Sequence, residues 1–68
     1  MKTFKLSLWI RNNEGRYSLI KRMEYEGTDG FHAAKRLAAD RKLNDYDWMG
    51  KRENDGKPLF VMRNDTME

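Results

Sequence analysis

From Phe4 to Arg11, apolar and polar residues alternate: Phe4, Leu6, Leu8 and Ile10 against Lys5, Ser7, Trp9 and Arg11. A period of two is the mark of a half-buried strand. The turn-forming run Asn12-Asn13-Glu14-Gly15 follows, and Tyr17, Leu19, Met23 and Tyr25 then resume the apolar positions. The pattern predicts a β-hairpin over residues 4–25. One face is apolar enough for a core. The other carries Lys5, Trp9, Arg11, Arg16, Ser18, Ile20, Arg22 and Glu24, and Lys21 is the misfit on the inner face, expected near an edge with its stem along apolar surface. Pairing Ile10 with Tyr17 or with Leu19 keeps the same residues inside, because the two registers differ by an even shift. A three-residue loop closing on Gly15 would oppose Phe4 to Glu24 and Leu6 to Arg22, which the burial pattern disfavours.

The run Glu26-Gly27-Thr28-Asp29-Gly30 breaks the sheet and offers Thr28 or Asp29 as a helix N-cap. Phe31, Ala34, Leu37 and Ala38, flanked by Ala33, then recur at helical spacing and predict a helix over residues 30–42. Arg36 and Asp40 are spaced to pair, and Asn44 suits a left-handed cap. A weaker strand candidate, residues 46–52, leads into Glu53-Asn54-Asp55-Gly56-Lys57, a strong hairpin-turn signal. Pro58 opens a last strand over residues 59–63, apolar on both faces. A loop of Asn54-Asp55-Gly56 would set Trp48 on the face of Phe60 and Met62; the tighter Asp55-Gly56 would set it with Leu59 and Val61.

The element order is therefore β-β-α-β-β in an α+β domain over residues 1–63: one mainly antiparallel four-stranded sheet, a single helix packed on one face, and a frayed tail over residues 64–68. The helix stripe accounts for the inner face of the first hairpin. Nothing in the sequence covers the outer one.

Composition narrows the chemistry. In 68 residues there is no room for a second core, and with no cysteine neither a disulfide nor a thiolate metal site supports a small one. Self-association, a homodimer above all, is one expected source of stability. No stretch reads as a signal peptide or membrane span, and the absence of cysteine fits the cytoplasm. Fourteen Lys and Arg against 11 Asp and Glu give a net charge of +3, which permits an acidic partner without demanding one.

No enzyme is expected. There is one histidine, and Ser7 and Ser18 lie on strand faces rather than on a strained elbow. A lone His32 without cysteine argues against a zinc site. The acidic run Asp45-Tyr46-Asp47 lacks the glycine and terminal glutamate of a calcium loop. No metal or cofactor is expected.

Two binding readings remain. In the first, Lys5, Trp9, Arg11, Arg16 and Arg22 form a nucleic-acid surface, the cations neutralising phosphates and the indole stacking on a base. His32, Lys35 and Arg36 would extend it, although a solvated helix face explains those three more simply. In the second, Trp9, Ile20 and Trp48 anchor a protein contact. In architecture, the strand Tyr17 to Tyr25, the alanine-rich helix Phe31 to Ala39 and a return strand near Leu59 to Met62 resemble small accessory proteins of phages and mobile elements. Some of these inhibit host enzymes, bacterial RNA polymerase among them. The resemblance implies a larger host protein as partner, whereas the basic face favours nucleic acid, the expectation taken first.

Overall fold

A computed structural model describes residues 1–50 and 57–66. Its elements are β1 (Lys2–Arg11), β2 (Tyr17–Gly27), α1 (Gly30–Arg41), β3 (Tyr46–Trp48) and β4 (Leu59–Asn64). They form the expected α+β arrangement: one four-stranded sheet in the order β2-β1-β4-β3, with the single helix on one face. Strand β1 runs antiparallel to both β2 and β4.

The pairing of β3 with β4 corrects the sequence reading. The two strands are parallel, with Tyr46 beside Phe60 and Trp48 beside Met62. Their link is therefore a crossover and not the expected second hairpin; residues 53–56 of the turn motif lie outside the described residues. The pairing of strands within the sheet, rather than the turn signal between them, sets this arrangement. The long β1 can take two neighbours, and β4 takes its open side.

The first hairpin uses both registers that the sequence set against each other. At the turn, the Asn12 N–H donates to the Arg16 carbonyl and the Gly15 N–H to the Asn12 carbonyl, each at 3.0 Å, and Gly15 has φ +79°. This is a three-residue loop with a left-handed third residue, a geometry glycine adopts without steric cost. The Asn12 side chain locks it by accepting from the Glu14 and Arg16 N–H groups. The loop places Arg11 opposite Tyr17 and Trp9 opposite Leu19. Had that register continued, Phe4 would face Glu24. Instead it slips between Leu8 and Trp9: Leu8 pairs with Lys21, Leu6 with Met23 and Phe4 with Tyr25. Ile20 is the extra residue, a β-bulge. Turn chemistry sets one end of the hairpin and burial the other.

The core lies between sheet and helix. Phe4, Leu6, Leu8, Met62, Ala33, Ala34, Leu37 and Ala38 are buried there, with Met23, Tyr25, Leu43, Tyr46, Trp48 and Phe60 packed around them. The alanines let α1 approach closely. Truncating a fully buried leucine such as Leu37 costs about 2–5 kcal/mol in a site of this kind. Phe31, expected in the stripe, is instead 50% exposed, with the Lys35 Nζ 5.6 Å from its ring centre.

Both helix ends are closed by side-chain or backbone bonds. Asp29 caps the start by accepting from the His32 N–H at 2.7 Å, and the His32 Nδ1 accepts in return from the Thr28 N–H. At the other end Lys42, not Asn44, takes the left-handed conformation, with φ 53°. The Leu43 N–H reaches the Ala38 carbonyl and the Lys42 N–H the Ala39 carbonyl, a paired C-terminal closure that also seats Leu43 on the core.

The tail differs as well. The Asp65 N–H donates to the Lys5 carbonyl at 2.7 Å, and the Thr66 hydroxyl accepts from the Lys5 N–H at 2.7 Å. Residues 64–66 thus continue the β4 pairing along β1 rather than fray. Among the described residues, no helix is long and apolar enough to cross a membrane.

Candidate interaction face

The sheet face away from α1 has two unlike halves. Toward the hairpin turn, Trp9 stands between Leu19 on β2 and Val61 on β4. Tyr17 and Leu59 flank the neighbouring Arg11. Tyr17 and Leu19 were expected on the core side; the bulge at Ile20 rotates them to the Trp9 side, because one extra residue inverts the alternation. They remain 44% and 40% exposed, and Ile20 itself 47%.

Trp9 is half-buried, its Nε1–H donating to the Ser7 Oγ at 3.0 Å. That bond satisfies Ser7, the one fully buried polar residue among those described, and fixes the indole along the strand. Trp9, Tyr17, Val61 and Arg63 line an open hollow of about 480 Å3 together with Met49 and Gly50. The chain leaving β3 therefore turns onto this face, held by the Met49 N–H bond to the Met62 carbonyl. Met49, 58% exposed, adds to the apolar surface.

Toward the other end, the face becomes charged with alternating sign. Lys5 lies opposite Glu24, and Ser7 lies between Arg22 and Arg63. Lys5, Arg22, Glu24 and Asp65 line a second open depression of about 510 Å3. The Arg22 Nε stands 3.9 Å from the Asp65 Oδ2, a long pair between exposed groups that adds little stability.

The predicted basic set is therefore divided. Trp9 and Arg11 sit in the apolar half, Lys5 and Arg22 sit among carboxylates, and Arg16 is exposed at the turn. The proposed extension lies elsewhere, on the helix layer behind the sheet. There His32 holds the N-terminal cap, and the Arg36 Nη1 donates to the Glu26 carbonyl at 2.9 Å. Trp48 faces the helix too, its ring against Gly30, and so shares no surface with Trp9 or Ile20. It belongs to the core, on the face of Phe60 and Met62.

Tyr17, Leu19, Met49, Val61 and Arg63 were absent from the sequence-based site. The Asn12–Gly15 loop was the one signal for Tyr17 and Leu19, since its preferred register already put them beside Trp9. Among the titratable groups of the described residues, Tyr25 is the one clearly perturbed. Its hydroxyl donates to the Asp40 Oδ2 at 2.9 Å, and this bond, with some desolvation, raises its pKa above the ordinary 10.0. The described residues bring together no group of three His, Asp or Glu side chains able to hold a metal ion. No protein family, curated protein or solved structure matches the chain.

Proposed function

We propose that the protein is a non-enzymatic binding module that docks a larger protein through the Trp9 half of the sheet. The carrying observation is the bulge at Ile20, which gathers Tyr17 and Leu19 beside Trp9. Val61 and Met49 extend an apolar, partly exposed surface bordered by Arg11 and Arg63. Aromatic, methionine and arginine side chains around such a patch are the composition of an interface centre. The mixed signs around Lys5 and Arg22 suit a polar rim better than a phosphate track.

The test uses exposed residues, so that the fold survives. Tyr17→Ser with Leu19→Ser should weaken binding to a partner purified from nuclease-treated lysate by more than about tenfold, the equivalent of about 1.4 kcal/mol. Lys5→Ala with Arg22→Ala should change it much less. Equal losses in both pairs would reject the patch as the centre of contact.

Nucleic acid is the second reading, favoured by the two aromatic rings and Arg63 around one hollow. Titration with single- and double-stranded nucleic acid at two salt concentrations separates it from the first. Steeply salt-dependent binding, lost on Arg11→Ala with Arg63→Ala, would replace the protein-docking reading.

A further inference from the structure

The strand β2 is an edge of the sheet, and its free side is interrupted near both ends. The bulge at Ile20 interrupts it at one end, and at the other Arg36 already occupies the Glu26 carbonyl. Edge strands are commonly protected in this way. Between these blocks lies the window of residues 21–25, centred on Met23.

The backbone groups in that window can be assigned. Lys5 directs its N–H to Thr66 and its carbonyl to Asp65, both on the β4 side. Glu24, opposite Lys5, therefore turns its own N–H and carbonyl away from β1, toward the open edge. Arg22, two residues away, does the same. The Glu26 carbonyl, bound by Arg36, follows the same alternation.

We infer that this window pairs antiparallel with the same window of a second copy, about a two-fold axis through Met23. A two-fold axis perpendicular to the sheet keeps each face on its own side only when it passes through a residue position. Centring on Arg22 would oppose two guanidinium groups, and centring on Glu24 two carboxylates. Centring on Met23 sets each Arg22 opposite the partner's Glu24, twice, using the outward N–H and carbonyl of both residues. It also ends the ladder where the bulge and the occupied carbonyl end it. The Arg22 side chain is 70% exposed and held by a single 3.9 Å pair, so it is free to reach across. Two sheets joined at this edge leave the Trp9 hollow uncovered, and the inference stands independently of what that hollow binds.

The experiment is sedimentation equilibrium of the full chain over a wide concentration range, with circular dichroism to verify that each variant folds. The wild type should dimerise. Arg22→Glu alone and Glu24→Arg alone should each weaken dimerisation by at least tenfold, and the double swap should restore it. Because the chain has no cysteine, Met23→Cys gives a second readout. Oxidation should link it to its own copy, since the axis opposes the two positions at a closely spaced, non-hydrogen-bonded pair. Ser18→Cys should stay unlinked. A monomeric wild type at all concentrations, or a dimer unaffected by the single reversals, overturns the inference.

Discussion

Gly30 opens the helix directly beneath Trp48, and adding one methyl group there tests how the second half of the fold is held together. A Cβ built on Gly30 would lie 2.7 Å from the Trp48 Cζ2, 3.0 Å from its Cη2 and 3.3 Å from the Asn64 Nδ2. Contacts under 3.0 Å require movement. The indole is wedged between α1 and the β3–β4 pair, with Met62 and Phe60 beside it. Overpacking of this kind costs about 1–3 kcal/mol. The better helix propensity of alanine returns up to about 1 kcal/mol, and less at the first helical position. Gly30→Ala should therefore lose about 1–2 kcal/mol, which in a domain of this size lowers Tm by roughly 4–16 °C. Urea denaturation of four proteins measures it: wild type, Gly30→Ala, Trp48→Phe and the double variant. Phenylalanine lacks the second ring that carries Cζ2 and Cη2. Trp48→Phe is itself destabilising through lost burial, but in that background Gly30→Ala should be nearly neutral. The coupling should then equal most of the single-variant penalty. If Gly30→Ala is as stable as the wild type, or costs the same in both backgrounds, Trp48 does not pack over the helix start as described.

Two further outcomes follow from the helix end and its flank. Lys42→Gly should stabilise the protein by about 0.5–1 kcal/mol: a left-handed lysine costs about 1–2 kcal/mol, and the entropy glycine loses on folding offsets part of the relief. A lower urea midpoint for the variant would contradict that closure. Tyr25 binds its proton more tightly folded than unfolded, because its hydroxyl donates to Asp40. Its contribution is thus fully present below pH 10 and falls as pH rises through 10 toward the raised folded value. The stability difference between wild type and Tyr25→Phe should shrink as pH rises above 10; a difference that stays constant there would mean that the bond does not form.

Much of the fold was legible because its signals are local. Alternation in residues 4–11, the glycine break before Asp29 and the spacing of Ala34, Leu37 and Ala38 each name an element and its buried side. The loop was not: the burial pattern argued against a three-residue turn closing on Gly15, and that turn forms because the bulge at Ile20 lets burial and turn chemistry both be met. The candidate site was legible only in part. Trp9 and Arg11 could be named from their strand face, but their neighbours Tyr17 and Leu19 required knowing where the ladder slips.

The sequence by itself determined the five elements, the core stripe of the helix and the apolar face of β1, because period, caps and breakers act over a few residues. Only the tertiary structure decided that β4 takes the other side of β1 and that β3 runs parallel to β4. A turn motif near Asp55-Gly56 suggests a hairpin, but the open side of β1 and the packing of Trp48 against Gly30 are settled between residues far apart in the chain. The bulge is the clearest case. The Gly15 turn fixes one register, burial of Phe4 and Leu6 demands another, and neither preference alone reveals that Ile20 absorbs the difference. The surface that carries the proposed function exists because that conflict is resolved within the sheet.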